Sequence, residues 1–430
     1  MSKKHKPNVN QNKNVRATSL VILGLVVLAI WCLTLTGCEK PTPTPQQPSQ
    51  QPPKYINPGA MKWTDLQEQI DQAEDSVTID LTGYLYPISQ YENHTFVVPS
   101  NMTVILNGNK DMQFDNIAFV FEGDNVVYIN DVNIASGIRN DKDLPLSVLH
   151  FMSGQNRLVI RGTNSINYTL QETFTISGLA NNALEGFIGV GAAIGVPEGA
   201  SLTIKGEGSV LTVGNGCAAS IGGGYKTKSG TIIIESAVVT SQTWSLKYGT
   251  GGAAIGGGSG ADGGTTIING GTVRAQGIDG TAAIGGGCGG SGGIISISGG
   301  VVEAFTEGGG AAIGGGLGAG GGEISISGGE ITAFSTFSNT PGQSPGQGAA
   351  IGNGYNGKGG SLTITGGSLL AFGSGATTHQ AIDCTIVALP DRYLWQAGNI
   401  DDDIYNIENT YPGQEFTNAL SYSFVKLQAY

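Results

Sequence analysis

Small and apolar residues recur in a fixed order along the second half of the chain. Ala-Ala-Ile-Gly leads into a cluster of glycines, then an Ile-x-Ile alternation, then Val-x-Ala or Ile-x-Ala; the clearest copies occupy residues 280–305 and 309–334. Aligned on the Ile of the first piece, the copies fall at Ile194, Ile221, Ile255, Ile284, Ile313 and Ile351, with spacings of 27, 34, 29, 29 and 38 residues. A period in the range of about 20–50 residues signals a solenoid, in which each unit covers the apolar side of the next. Period-two alternation puts Ile295 and Ile297 on one side of a strand and Ser296 and Ser298 on the other, and treats Ile324 and Ile326 against Ser325 and Ser327 in the same way. Three short strands joined by glycine corners predict one triangular coil, stacked in parallel on its neighbours at roughly 4.8 Å. No proline occurs between Pro197 and Pro341, as inner strands that use every N–H require.

The pattern extends upstream in weaker form. Leu202-Thr-Ile204-Lys-Gly206 resembles Leu158-Val-Ile160-Arg-Gly162. Near residue 62 the period changes: Trp63, Leu66, Ile70 and Ala73 form a helical stripe, with Thr64 and Gln67 spaced as a capping box, and the strand Val77-Thr-Ile79-Asp-Leu81 follows at once. From Asp391 to Tyr430 the glycine pattern stops and aromatics increase, including Tyr393, Trp395, Tyr422 and Phe424, which predicts a C-terminal β cap or a small appended β unit.

The helix-then-strand opening resembles the N-terminal cap of pectin-lyase-like right-handed parallel β-helix proteins. The AAIGGG copies are similar to Gly-rich repeat proteins of bacterial cell surfaces. These resemblances imply an all-β solenoid over residues 60–390 with about three strands per coil, a short capping helix, and a location on a cell surface; they do not imply a particular chemistry.

The N-terminus carries a different signal. Lys3, Lys4, Lys6, Lys13 and Arg16 precede an almost wholly apolar run over residues 17–35, the layout of a signal peptide. The run closes in Leu35-Thr36-Gly37-Cys38, which resembles the lipobox of bacterial lipoproteins. That resemblance implies removal of residues 1–37 and a lipid on Cys38; the other reading is an uncleaved membrane-spanning helix. Residues 38–59, rich in Pro and Gln, are expected to form an extended spacer. Both readings place the bulk of the chain outside the cytoplasm.

Formal charge is −12, and loss of the five leader cations takes it near −17, which argues against a nucleic-acid partner. Cys217, Cys288 and Cys384 are too few and too scattered for a disulfide framework or a zinc site and read as small buried side chains. Asp262 completes one copy of a Gly-rich calcium-binding pattern, but the equivalent segments lack the carboxylate, so no metal or other cofactor is expected.

Two outward columns carry the candidate chemistry. The site between Val or Ile and Ala brings Thr240, Arg274, Glu303, Thr332 and Leu370 into line, making Arg274 and Glu303 neighbours across one rung. The site after the Ala brings Gln242, Gln276, Phe305, Phe334 and Phe372 into line, an external ladder whose flat rings and amides suit the C–H faces and hydroxyls of a glycan. The favoured reading is therefore a non-catalytic, membrane-anchored β-helix that binds polysaccharide or another surface. A polysaccharide lyase or hydrolase on the same fold and a structural envelope spacer are the alternatives, separated by whether an acidic cleft with a basic residue spans several coils.

Overall fold

A computed structural model describes residues 60–84, 94–136, 147–168, 191–244, 251–336, 347–373, 380–389, 393–401, 404–412 and 422–429. The leader, Cys38 and the spacer lie outside them. Among the described residues, no helix is long and apolar enough to cross a membrane.

The chain winds through three strand positions per coil. The first face is a ten-stranded parallel sheet that begins with His94–Val98, Ile117–Phe121 and Leu149–Phe151. It then continues as two-residue strands from Ile194–Gly195 to Ile382–Asp383. The second face begins at Ser76–Asp80 and Thr103–Asn107 and includes Val126–Asn130, Gly154–Arg161, Ala200–Gly206, Thr231–Ile234, Thr265–Ile268 and Ile294–Ile297. The third includes Thr163–Tyr168, Ser209–Asn215, Val238–Trp244, Thr272–Ile278 and Val301–Glu307. In Glu323–Thr336 and Ser361–Gly373 one long strand serves both the second and third faces.

The expected alternation holds: Ile295, Ile297, Ile324 and Ile326 are buried, Ile295 stacking on Ile324 and Ile297 on Ile326 in two adjoining inward columns. Each such side chain contributes about 1.5–3 kcal/mol when its neighbours cover it. The Ala-Ala-Ile piece differs from expectation. Only Ile and the following Gly pair as strand, because the first Ala turns its amide onto the carbonyl four residues ahead: Ala253 to Gly257 at 2.9 Å, Ala282 to Gly286 at 3.1 Å and Ala311 to Gly315 at 2.8 Å. That bond closes a compact corner where an extended strand would overshoot.

Two further expectations are corrected. Helix α1, Thr64–Asp71, has Trp63 at its N-cap with no side-chain capping bond, so Thr64 and Gln67 make no capping box. Gln67 instead accepts from the Val97 amide at 2.8 Å and donates to the Val97 carbonyl at 2.9 Å, tying the helix to the edge of the first face. Leu66 and Ile70 close the end of the core, and Trp63 stacks on Tyr84 with ring centroids 4.7 Å apart. The second correction concerns register. Leu158 pairs with Ile204, and Leu202 pairs with Asn156, a shift of two residues from the register that the sequence likeness suggests. Inward parity survives such a shift. Asn156 takes the inward place because its side chain caps the backbone: Oδ1 accepts from the Asn125 amide at 3.1 Å and Nδ2 donates to the Ser153 carbonyl at 2.7 Å. Asn125 and Asn164 act alike, each in a Gly-x-Asn triplet.

In the five coils from Ile221 onward, length varies at one corner only. From the first to the second face the inward positions are 11 residues apart in five coils (Ile221 to Ile232 through Ile351 to Leu362), and from the second to the third they are 5 apart (Ile234 to Val239 through Ile364 to Leu369). From the third back to the first the separation is 11, 16, 11, 11, 20 and 13 residues in successive coils from Val210 onward. The final coil ends differently: Phe424–Ala429 runs antiparallel beside Ser361–Gly373 and pairs with Tyr393–Asp401, which pairs in turn with Ile404–Pro412.

The close stacking at the Ile-Gly corner rests on a column of glycines in register. At Gly314, φ is +140° and an added Cβ would run into the carbonyl oxygen of Gly352 in the next coil. At Gly318, φ is +79° but no atom lies within 4 Å of that position. Gly314→Ala is therefore expected to cost stability by about 2 kcal/mol or more beyond Gly318→Ala, which meets only the left-handed backbone penalty of about 1–2 kcal/mol. Urea unfolding of the two variants checks this, and equal losses would show that the close approach is not limiting.

Candidate binding face

The third face is built from strands whose inward side carries Val239, Val273, Val302, Ile331 and Leu369, followed in most coils by a small residue such as Ala275, Ala304, Ala333 and Ala371. This inward pattern fixes which side chains point out. Thr240, Arg274, Glu303, Thr332 and Leu370 pair in sequence along one outward column, and Gln242, Gln276, Phe305, Phe334 and Phe372 along the next. Arg274 Nε donates to Glu303 Oε2 at 2.7 Å, both side chains being partly exposed.

The aromatic column is continuous. Phe305 and Phe334 stack with centroids 5.8 Å apart and planes at 14°, Phe334 and Phe372 lie at 5.6 Å and 58°, and Phe372 meets Phe424 at 5.2 Å and 45°. Exposure is not uniform along it. Phe305, Phe334 and Gln276 are partly open, whereas Phe372, expected on the same open face, is 4% exposed, and Gln242 is 3% exposed. Phe372 is covered because the antiparallel closing strand sets Phe424 directly against it. The accessible platform therefore shrinks to Gln276, Phe305 and Phe334, flanked by the Arg274–Glu303 pair. Gln242 Oε1 has no hydrogen-bond partner among the described residues.

Other groups with chemical potential are engaged structurally. The Asp262 carboxylate accepts from the Ser291 amide of the next coil at 2.7 Å, which gives it a backbone-capping role. Among the described residues, no three His, Cys, Asp or Glu side chains come together as a metal-holding group. Cys217 and Cys384 are buried and Cys288 is partly so, and none of the three is in a disulfide among the described residues. Burial, with the nearby Cys217, pushes the Cys288 thiol up to about 11, and burial, with the charge of Asp383, pushes Cys384 up to about 12, so neither supplies a thiolate near neutral pH. His150 Nδ1 lies 3.2 Å from Ser147 Oγ, a pairing that on a surface would suggest a nucleophile. Ser147 is 2% exposed and its oxygen already accepts from the Ala192 amide at 3.1 Å, so the pair braces the first face.

A family model described as a beta helix repeat matches residues 267–288, 295–317 and 324–355, which are three consecutive coils of the glycine-rich half. The fold is a right-handed parallel β-helix. No curated protein and no solved structure matches the chain. The starts of the matched stretches, at residues 267, 295 and 324, follow the coil period, and the match adds no residue to the candidate face.

Burial lowers the His150 pKa from 6.5 to about 4. The folded state then holds this proton more weakly than the unfolded chain, so acid favours unfolding: the contribution of neutral His150 is complete above about pH 6.5 and declines as pH falls toward 4. The loss approaches about 3 kcal/mol. Thermal melts of His150→Asn should show a shallower fall in stability between pH 6.5 and 4 than the unaltered protein, and parallel curves would sink the assignment.

Proposed function

We propose that this chain is an exported, lipid-anchored rod that acts without catalysis, holding a polysaccharide against its third face as an adhesin or carbohydrate-binding module does. The observation that carries the reading is the stacked, partly open Phe305–Phe334 pair with Gln276 one rung away and the Arg274–Glu303 pair in the adjacent column. A pyranose presents a C–H face to rings of this kind, while an amide and an ion pair beside them offer donors and acceptors for hydroxyls. Repetition along a rigid strand face lets several weak contacts act on one polymer. Export and anchoring are supported by the cationic leader, the apolar run and the Leu35-Thr36-Gly37-Cys38 motif. The Pro-rich spacer would hold the rod away from the membrane.

Two measurements test this. In cells, Cys38→Ser should move the protein from the membrane fraction to the soluble one and abolish labelling by radioactive palmitate; retention of the label would place the anchor elsewhere. For binding, the full chain in detergent micelles is titrated calorimetrically with a panel of neutral and acidic polysaccharides. Phe305→Ala with Phe334→Ala should lower affinity about tenfold or more. Phe372→Ala should instead lower stability by about 3–5 kcal/mol and leave affinity nearly unchanged. Silence across the whole panel would favour the structural-spacer reading.

A further inference from the structure

The second face differs in charge from the rest of the molecule. In a chain with 33 acidic and 21 basic residues, the outward positions of seven successive second-face strands, from Thr103–Asn107 through Ile294–Ile297, carry no carboxylate. Three cations stand on this strip: Arg157 and Arg161 in one strand and Lys205 in the next. Register places them together. Arg157 pairs with Thr203, and Val159, which lies between the two arginines, pairs with Lys205. Neighbouring rungs are about 4.8 Å apart and residues four apart in a strand about 13 Å apart, so the three charges fit within the footprint of a few sugar residues.

Among the described residues, none of the three cations has a carboxylate within ion-pair distance; the surface ion pairs formed are Lys110–Asp111, Lys228–Glu198 and Arg274–Glu303. Glu235, which follows the partner of Ile204, comes one rung beyond Lys205, and Glu207 borders the same recess as Arg161, but neither forms an ion pair with the three cations; Asp124 and Asp131 have turned carboxylate oxygens onto the amides of Gln155 and Thr163. Arg161 is held by a neutral partner: its guanidinium carbon lies 4.5 Å from the centroid of the Tyr128 ring, which pairs with Val159 one rung away. Cation–π contact fixes the guanidinium over the strip while leaving its N–H donors unspent. Thr103, Thr203 and Thr231 add hydroxyl groups along the same outward face.

We propose that this strip is a second binding site, distinct from the aromatic platform, for a linear anionic polysaccharide bearing carboxylate or sulfate groups. Arginine meets such groups through paired N–H donors, and like charges held this close are otherwise unfavourable. A narrow polymer would contact the cationic strip alone. An anionic bilayer is a broad surface that would also meet the acids elsewhere on a chain of charge −12. Tyr128, the aromatic on this part of the strip, lies beneath Arg161 and offers no wedge for lipid.

The test uses the full chain in uncharged detergent with fluorescent dextran sulfate, polygalacturonate and uncharged dextran, followed by anisotropy at increasing sodium chloride. The two anionic polymers should bind in a salt-dependent manner through this strip, and the triple variant Arg157→Gln, Arg161→Gln, Lys205→Gln should lose at least about tenfold in affinity for them while melting at the same temperature or higher. Lys226→Gln with Lys228→Gln, on another corner, should have little effect. The Phe305→Ala, Phe334→Ala protein should bind the anionic polymers as before, so failure of the aromatic site and failure of this one are read separately. The proposal is overturned if the anionic polymers do not bind, if the triple variant binds them equally well, or if the three cations prove to act on phosphatidylglycerol vesicles instead.

Discussion

The structure depends on how closely one coil's backbone can sit on the next at the Ile-Gly corner. There the amides of Gly257, Gly286 and Gly315 reach the carbonyls of Gly285, Gly314 and Gly352 at 2.9–3.0 Å. A side chain at the stacked position would occupy the space of a carbonyl oxygen, so contact is backbone to backbone. Parallel strands elsewhere tolerate many side chains; this corner tolerates almost none. Once it is satisfied, successive coils are held in register, and the Ile and Val columns inside and the polar columns outside follow from period-two geometry.

Function in such a molecule is a property of columns. A single outward residue has little meaning, whereas its repetition one rung further on creates a strip of defined spacing. The third face offers rings and amides, and the second offers hydroxyls and three cations that form no ion pair among the described residues. Both are continuous with the same inner core, so neither needs a loop to shape it. This differs from enzymes on strand scaffolds, whose reactive groups gather from separate elements into one concavity.

Most of the fold was legible because the glycine-rich coils repeat both their apolar period and their corner residues. Arg274 and Glu303, 29 residues apart, could be placed together from spacing alone, and they meet. What remained hidden is nonlocal. The two-residue offset of Leu202 against Leu158 comes from Asn156 acting as a backbone cap, a role signalled only by the recurrence of Gly-x-Asn at residues 123–125, 154–156 and 162–164. Burial of Phe372 comes from Phe424, 52 residues later in a strand of opposite direction, and no coil-by-coil alignment contains that pairing. Gln67 fits a capping pattern in sequence but lies close enough to Val97 to bond an exposed strand edge, and the tertiary partner wins.

Two corners of each glycine-rich coil keep constant length, and the third absorbs every change. The axial rise is thereby uncoupled from the amount of chain carried by a coil. A segment gained or lost between the third and first faces leaves the columns above and below in step, so recombination between coils yields products that remain in register. Such a molecule can diversify along one edge for as long as its lineage lasts without renegotiating its core.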